Sequence, residues 1–186
     1  MSANVKSVAQ TLAARVVALR TEDLPAAVRE RCRDLLVDVV GLCVAARNRD
    51  YVASLLASLD RGGPCTAFGH AEGLSPEDAA LLNGTAVHGE DFDDTFEGGP
   101  VHSGAVIVPA VLAACERFGR SGSDALLGIA VGVEALCRLS LVAPKRIHDA
   151  GFHPTAVLGA MAAAVAVSKT IGANDRNLSL SRMLLS

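Results

Sequence analysis

The chain has 186 residues, 51% of them hydrophobic and only 3% aromatic, with no Trp, one Tyr, five Phe and a formal net charge of -3. That length holds one domain with a real core and barely two, and so nearly neutral a charge leaves no nucleic-acid footprint. A core rich in Ala, Val and Leu gains its burial from many small contacts, which suits close-packed helices better than a sheet. Cys32, Cys43, Cys65, Cys115 and Cys137 are odd in number and form no C-x-x-C. They read as small buried hydrophobes in a reduced cytoplasm, neither a disulfide frame nor a zinc site. Residues 1–20 carry Lys6, Arg15 and Arg20 but lack the apolar run and cleavage site of a secretory signal. The Ala/Val stretch 156–167, closed by Ser168-Lys169, is too short to cross a bilayer, so no membrane partner is expected.

Apolar residues at Val5, Val8, Leu12, Val16 and Leu19 keep a helical period over residues 5–19. Pro25 is placed to open a second helix at its first position, running through Leu35, Leu36, Val39, Val40 and Cys43 and fraying near Asn48. Residues 50–59 form a shorter helix stopped by Gly62-Gly63-Pro64, and residues 65–69 a brief extended stretch. Ser75-Pro76-Glu77-Asp78 has a cap, a first-position proline and a carboxylate three residues on, and starts the helix that carries residues 79–87. Residues 90–100 hold charge and turn residues and read as a loop. A helix over 103–118 contains Pro109 as an expected kink. Ser123 caps the next helix to Val142, and Pro154 opens the last, ended by Gly172. The expected fold class is all-α, a helical bundle-like domain over residues 1–172 with an atypical tail over 173–186.

The chemistry concentrates in His88-Gly89-Glu90-Asp91-Phe92-Asp93-Asp94-Thr95 and in His102-Ser103-Gly104. Five carboxylates lie within residues 90–97, with a histidine on either side. Crowded anions raise one another's pKa, and a carboxyl group so raised serves as a general acid or base near neutral pH. Histidine titrates there already. The competing reading is a solvated acidic loop, but the segment leaves an apolar helix and is interleaved with Gly instead of Lys or Arg. A divalent-metal site is conceivable for clustered carboxylates, although the spacing is not that of an EF-hand. Asp91-Phe92-Asp93-Asp94 also matches the D-x-D-D of class II terpene cyclases, a weak match in a chain almost without the aromatic faces that carbocations need. Further on, His153 precedes Pro154 at a helix start, where the helix end favours anions; the plainer reading is a surface capping residue.

Together these stretches resemble the MmgE/PrpD family, which includes 2-methylcitrate dehydratase and cis-aconitate decarboxylase. Leu35-Leu36-Val37-Asp38-Val39-Val40-Gly41 resembles its early L-L-D-T-L-G helix, Ala79-Ala80-Leu81-Leu82-Asn83-Gly84 its A-A-L-x-N-G, and residues 88–95 its H-x-x-D-F-D-D-T. Residues 102–109 resemble H-P-S-A-x-x-x-P and residues 151–159 resemble G-F/W-H-P-T-x-x-x-G. Five motifs in order are far more specific than any one. The resemblance implies a mostly helical domain with a separate lid domain later in the chain, usually in a homodimer, acting on a small polycarboxylate without metal or organic cofactor. It carries Asp91, His102 and His153 over as catalytic positions and Thr95 as a substrate-binding hydrogen-bond donor. His102 and His153 would transfer protons or orient carboxylates, and Asp91 would act as a base or fix a histidine tautomer.

Two departures matter. Ser103 stands where the family usually has Pro, so the backbone at that turn is expected to differ. Family members are also more than twice this length, and their later half supplies the lysines that bind substrate carboxylates. Repulsion between a polycarboxylate and the acidic segment makes such cations necessary; Lys145, Arg146 and His148 are the only cluster close to His153 in sequence. The expectation is a truncated lyase, either hydro-lyase or carboxy-lyase, that is weakly active or inactive alone. The alternative is a non-catalytic helical remnant acting in dimerisation or regulation.

Overall fold

The computed structural model describes residues 7–173. In chain order it has α1 Val8–Ala18, α2 Ala26–Ala46, α3 Asp50–Ala57, β1 Arg61–Thr66, β2 Gly73–Leu74, α4 Pro76–His88, α5 Ser103–Phe118, α6 Gly122–Val142, α7 Arg146–Asp149 and α8 Pro154–Thr170. The all-α class holds. Among the described residues the strands are confined to one antiparallel hairpin, in which Arg61 and Cys65 both pair with Leu74 across a bulge. Strand pairing therefore begins at residue 61, ahead of the extended stretch expected at 65–69. The bare Cα of Gly63 permits this, since a Cβ there would overlap the backbone of Leu74.

Several helix starts differ from the sequence pattern for local reasons. Of the helix expected over residues 5–19, residues 5 and 6 lie outside the described residues, as does nearly all of the tail. The described helix starts at Val8, where Ser7 and Gln10 form a capping box. Pro25 is the residue before α2 instead of its first. Ser121, not Ser123, caps α6: its hydroxyl accepts from Asp124 N at 3.2 Å while Asp124 Oδ2 accepts from Ser121 N at 2.9 Å. Ser75 and Pro76 start α4 as the sequence indicated.

α5 is the central helix. It touches α2, α4, α6, α8 and β1, and its Ile107, Val108 and Val111 are fully enclosed. Helices approach closely through small residues, as a chain poor in aromatics must. A Cβ on Gly132 would come within 2.7 Å of Ala166 and of Ile107, which places α6 against α8 and α5. Pro109 lies inside α5 and has no N–H to give to the Ala105 carbonyl. That carbonyl faces Gly84 of α4, where a Cβ would be 2.8 Å away. Asn83 ties α4 to the hairpin: its Nδ2 donates to Thr66 O at 2.8 Å and its Oδ1 accepts from Phe68 N at 2.9 Å.

α6 is long and apolar enough by length and composition to cross a membrane, unlike the shorter stretch 156–167. Here it is a core helix, with Ile129 and Leu136 fully enclosed and its flank against α8. All five cysteines are free thiols, four of them buried. Burial pushes Cys43 up to about 12 and Cys115 up to about 11, so neither offers a thiolate at neutral pH.

Candidate active site

Three helix ends meet at one place. His88 is the last residue of α4, His102 immediately precedes α5 and His153 immediately precedes α8. The His88 and His102 rings lie 4.8 Å apart by centroid, His88 and His153 5.3 Å, and His102 and His153 6.2 Å. The backbone N–H of His102 donates to the Thr155 hydroxyl at 3.0 Å, fixing the start of α5 against the start of α8.

The acidic segment makes this convergence possible by dividing its charges among separate partners. Glu90 is drawn away by Arg49 at 2.8 Å and by the Tyr51 hydroxyl at 3.1 Å. Asp91 takes a positive φ of 57°, a left-handed conformation that Asp tolerates better than most residues, and its N–H donates to His88 O at 3.1 Å. The chain thereby folds back so that Asp93 reaches the ring of His88. Asp94 accepts from Ser103 N at 3.1 Å and Gly104 N at 2.6 Å and also bonds the Ser103 hydroxyl, capping α5. Ser103 thus supplies an N–H that the family's usual Pro would lack. The five like charges are thereby partly dispersed, because Glu90, Asp93 and Asp94 each have their own counterpart.

Asp93 is the buried member. Its side chain is 0% exposed; Oδ2 lies 2.9 Å from His88 Nδ1 and Oδ1 lies 3.3 Å from His102 Nδ1. The Oδ1 contact is not aligned as a hydrogen bond, and among the described residues that atom has no other partner. Thr95 Oγ1 lies 3.4 Å from the same His102 nitrogen. His153 is held below the ordinary histidine range, first by burial, then by His88, His102 and His148, with Asp91 opposing. It is therefore a neutral imidazole at neutral pH, able to accept a proton.

Asp91, Thr95, His102 and His153, the four positions singled out in the sequence, accordingly lie around one centre. His88 and Asp93 join them there, beyond those four positions. The signal for both was present in the H-x-x-D-F-D-D-T stretch. Nothing in the sequence said which of its carboxylates is buried. His88 and His153 border an open cleft of about 670 Å³ between α4, α5 and α8, lined mainly by small residues such as Ala80, Gly84 and Gly159, with no Lys or Arg among the described residues that line it.

His88, Asp91, Asp93 and His102 are also the residues that could hold a divalent ion, their donor atoms lying within 4.8 Å of one another. Nitrogen and oxygen ligands on one tetrahedral zinc ion lie about 3.3–3.6 Å apart, so this set would have to contract to hold zinc, and the His88–Asp93 contact already occupies one atom of each.

The chain is 32% identical to the cis-aconitate decarboxylase of Aspergillus terreus over 164 residues, covering 83% of this chain and 33% of the relative. It is 32% identical to the Homo sapiens cis-aconitate decarboxylase over 182 residues, 90% of this chain and 37% of that protein. A cis-aconitate decarboxylase-like protein of Aspergillus oryzae is 30% identical over 168 residues, 84% of this chain and 35% of the relative. The chain thus spans about one third of the length of these relatives. Residues 10–179 match the MmgE/PrpD N-terminal domain, and the chain belongs to the MmgE/PrpD family.

Proposed function

We propose that the cluster of His88, Asp91, Asp93, His102 and His153 is a proton-transfer site for lyase chemistry on a small di- or tricarboxylic acid, such as cis-aconitate or 2-methylcitrate. The convergence of three imidazoles around a buried aspartate carries the reading. Removing CO2 or water beside a carboxylate needs one group to take or hold a proton and another to deliver one. His153, neutral at neutral pH and bordering the cleft, suits the first task. His102 suits the second or orients a carboxylate, with Thr95 donating to substrate and Asp91 acting as base or orienting partner. The positive end of α8 next to His153 favours a bound carboxylate. The relatives named as cis-aconitate decarboxylases support a tricarboxylate; the geometry accommodates decarboxylation and dehydration alike.

Among the described residues the cleft lining holds no Lys or Arg, so the substrate's charge needs a cation from outside that lining, and we propose that these 186 residues alone turn over weakly. The test is calorimetric titration with cis-aconitate and 2-methylcitrate, with 1H NMR to follow CO2 or water loss. Binding that vanishes in His102→Asn and His153→Asn, with slow turnover, is expected. Binding unaffected by both substitutions would overturn the reading, and brisk turnover would refute the need for outside cations.

A second reading, a dimerising or regulatory helical piece, rests on an apolar groove of about 860 Å³ between α1, α2 and α6 that includes Leu12, Leu19, Val28 and Ala130. We propose a homodimer on either reading, and a reducing compartment such as the cytoplasm for its five unpaired thiols.

A further inference from the structure

We infer that Asp93 is a positioning residue which holds His88 and His102 in a single tautomer, with the proton on Nδ1 and a bare Nε2. This deepens the reading of the cluster as a proton-transfer site and rests on it for its purpose. The tautomers themselves can be read without any turnover.

A carboxylate with 0% exposure must be paired, since burying an unpaired charge is strongly unfavourable. Ion pairs in this region assign the cations elsewhere: Arg49 is with Glu90, and Arg138 is with Glu134. Among the described residues, the groups that face the Asp93 oxygens are the Nδ1 atoms of His88 at 2.9 Å and His102 at 3.3 Å. Both nitrogens must carry hydrogen to meet a carboxylate, which only accepts. The reverse tautomer on His102 would make Thr95 the donor to Nδ1 across 3.4 Å and set a bare Nδ1 lone pair against Oδ1 at 3.3 Å, the one polar group near an oxygen that has no aligned hydrogen bond among the described residues. An imidazole so fixed presents the same nitrogen at every encounter, and a carboxylate behind it stabilises the imidazolium formed when that nitrogen takes a proton.

One carboxylate serving two rings has a signature that a merely structural aspartate lacks. An amide in its place keeps one acceptor oxygen and gains an NH2 donor. In Asp93→Asn, one ring should keep hydrogen on Nδ1 while the other, now receiving a hydrogen bond at Nδ1, switches to Nε2–H. The experiment is long-range 1H–15N NMR of the uniformly 15N-labelled chain across a pH titration, with His88 and His102 assigned by substitution and His70 and His148 as internal references. Wild-type rings of His88 and His102 are expected as the Nδ1–H tautomer when neutral, and Asp93→Asn is expected to split the pair. Nε2–H on either ring in the wild type overturns the proposal, and that measurement stands if the variant does not fold. Two rings unmoved by Asp93→Asn also overturn it. In turnover, kcat should fall about 100-fold or more with KM changed far less. The stated tautomers in a chain that neither binds nor turns over a polycarboxylate would uphold the role of Asp93 and sink the lyase reading instead.

Discussion

The His102 N–H and the Thr155 hydroxyl, 3.0 Å apart, join the starts of α5 and α8, helices whose first residues are 51 positions apart in sequence. Thr155 is buried, so its hydroxyl has little water to turn to. The bond sets the spacing of the two imidazoles that precede those helices.

Thr155→Val keeps the shape of the side chain and removes the acceptor. It should destabilise by about 1–2 kcal/mol, the range for a polar group left without its partner, and should weaken polycarboxylate binding at least several-fold. Thr155→Ser should restore both. Denaturant unfolding and calorimetry on the three proteins check this.

Asp94 and Asp91 separate structure from site. Asp94→Ala removes the cap of α5 and should cost about 1–2 kcal/mol by denaturant unfolding. Asp91 sits at φ 57°, where glycine is unstrained. Asp91→Gly should therefore leave stability unchanged or raise it by up to about 1 kcal/mol, while weakening binding or turnover. Equal losses of stability in the two variants would contradict this division.

Asn83 should behave as a structural residue despite lying in a motif that resembles the family's. Asn83→Ala leaves Thr66 O and Phe68 N without their side-chain partner. A loss of about 2 kcal/mol is expected, with tricarboxylate affinity per folded molecule unchanged.

The pH dependence of stability follows from His153. Its folded pKa lies below the ordinary 6.5, so the unfolded chain takes up the proton first as pH falls. Its contribution is therefore complete above 6.5 and is lost as pH drops through the lower folded value. The urea midpoint of the wild type should fall more steeply below 6.5 than that of His153→Gln. Parallel curves would show that burial and the neighbouring rings do not act on this imidazole as described.

Much of the fold was legible because α4, α5 and α8 carry their own punctuation: Ser75-Pro76, the apolar run after Ser103, and Pro154 with Gly172. The starts that misled were those where two serines or a proline competed. Ser121 prevails over Ser123 because Asp124 completes its capping box. At the site, Asp91, Thr95, His102 and His153 could be named from motif order. Asp93 could not be told from its acidic neighbours, because its burial depends on the left-handed turn at Asp91 and on Asp94 being committed to α5. The pairing of Glu90 with Arg49, 41 residues apart, is likewise tertiary and invisible in a local reading of charge.

The most direct measurement is a crystal structure of the chain with a tricarboxylate such as cis-aconitate bound. The acid should lie in the cleft between α4, α5 and α8, with both the His102 and His153 imidazoles within hydrogen-bond distance of it. A tricarboxylate seated elsewhere, or the two imidazoles turned to separate faces of the protein, would contradict the proposed site.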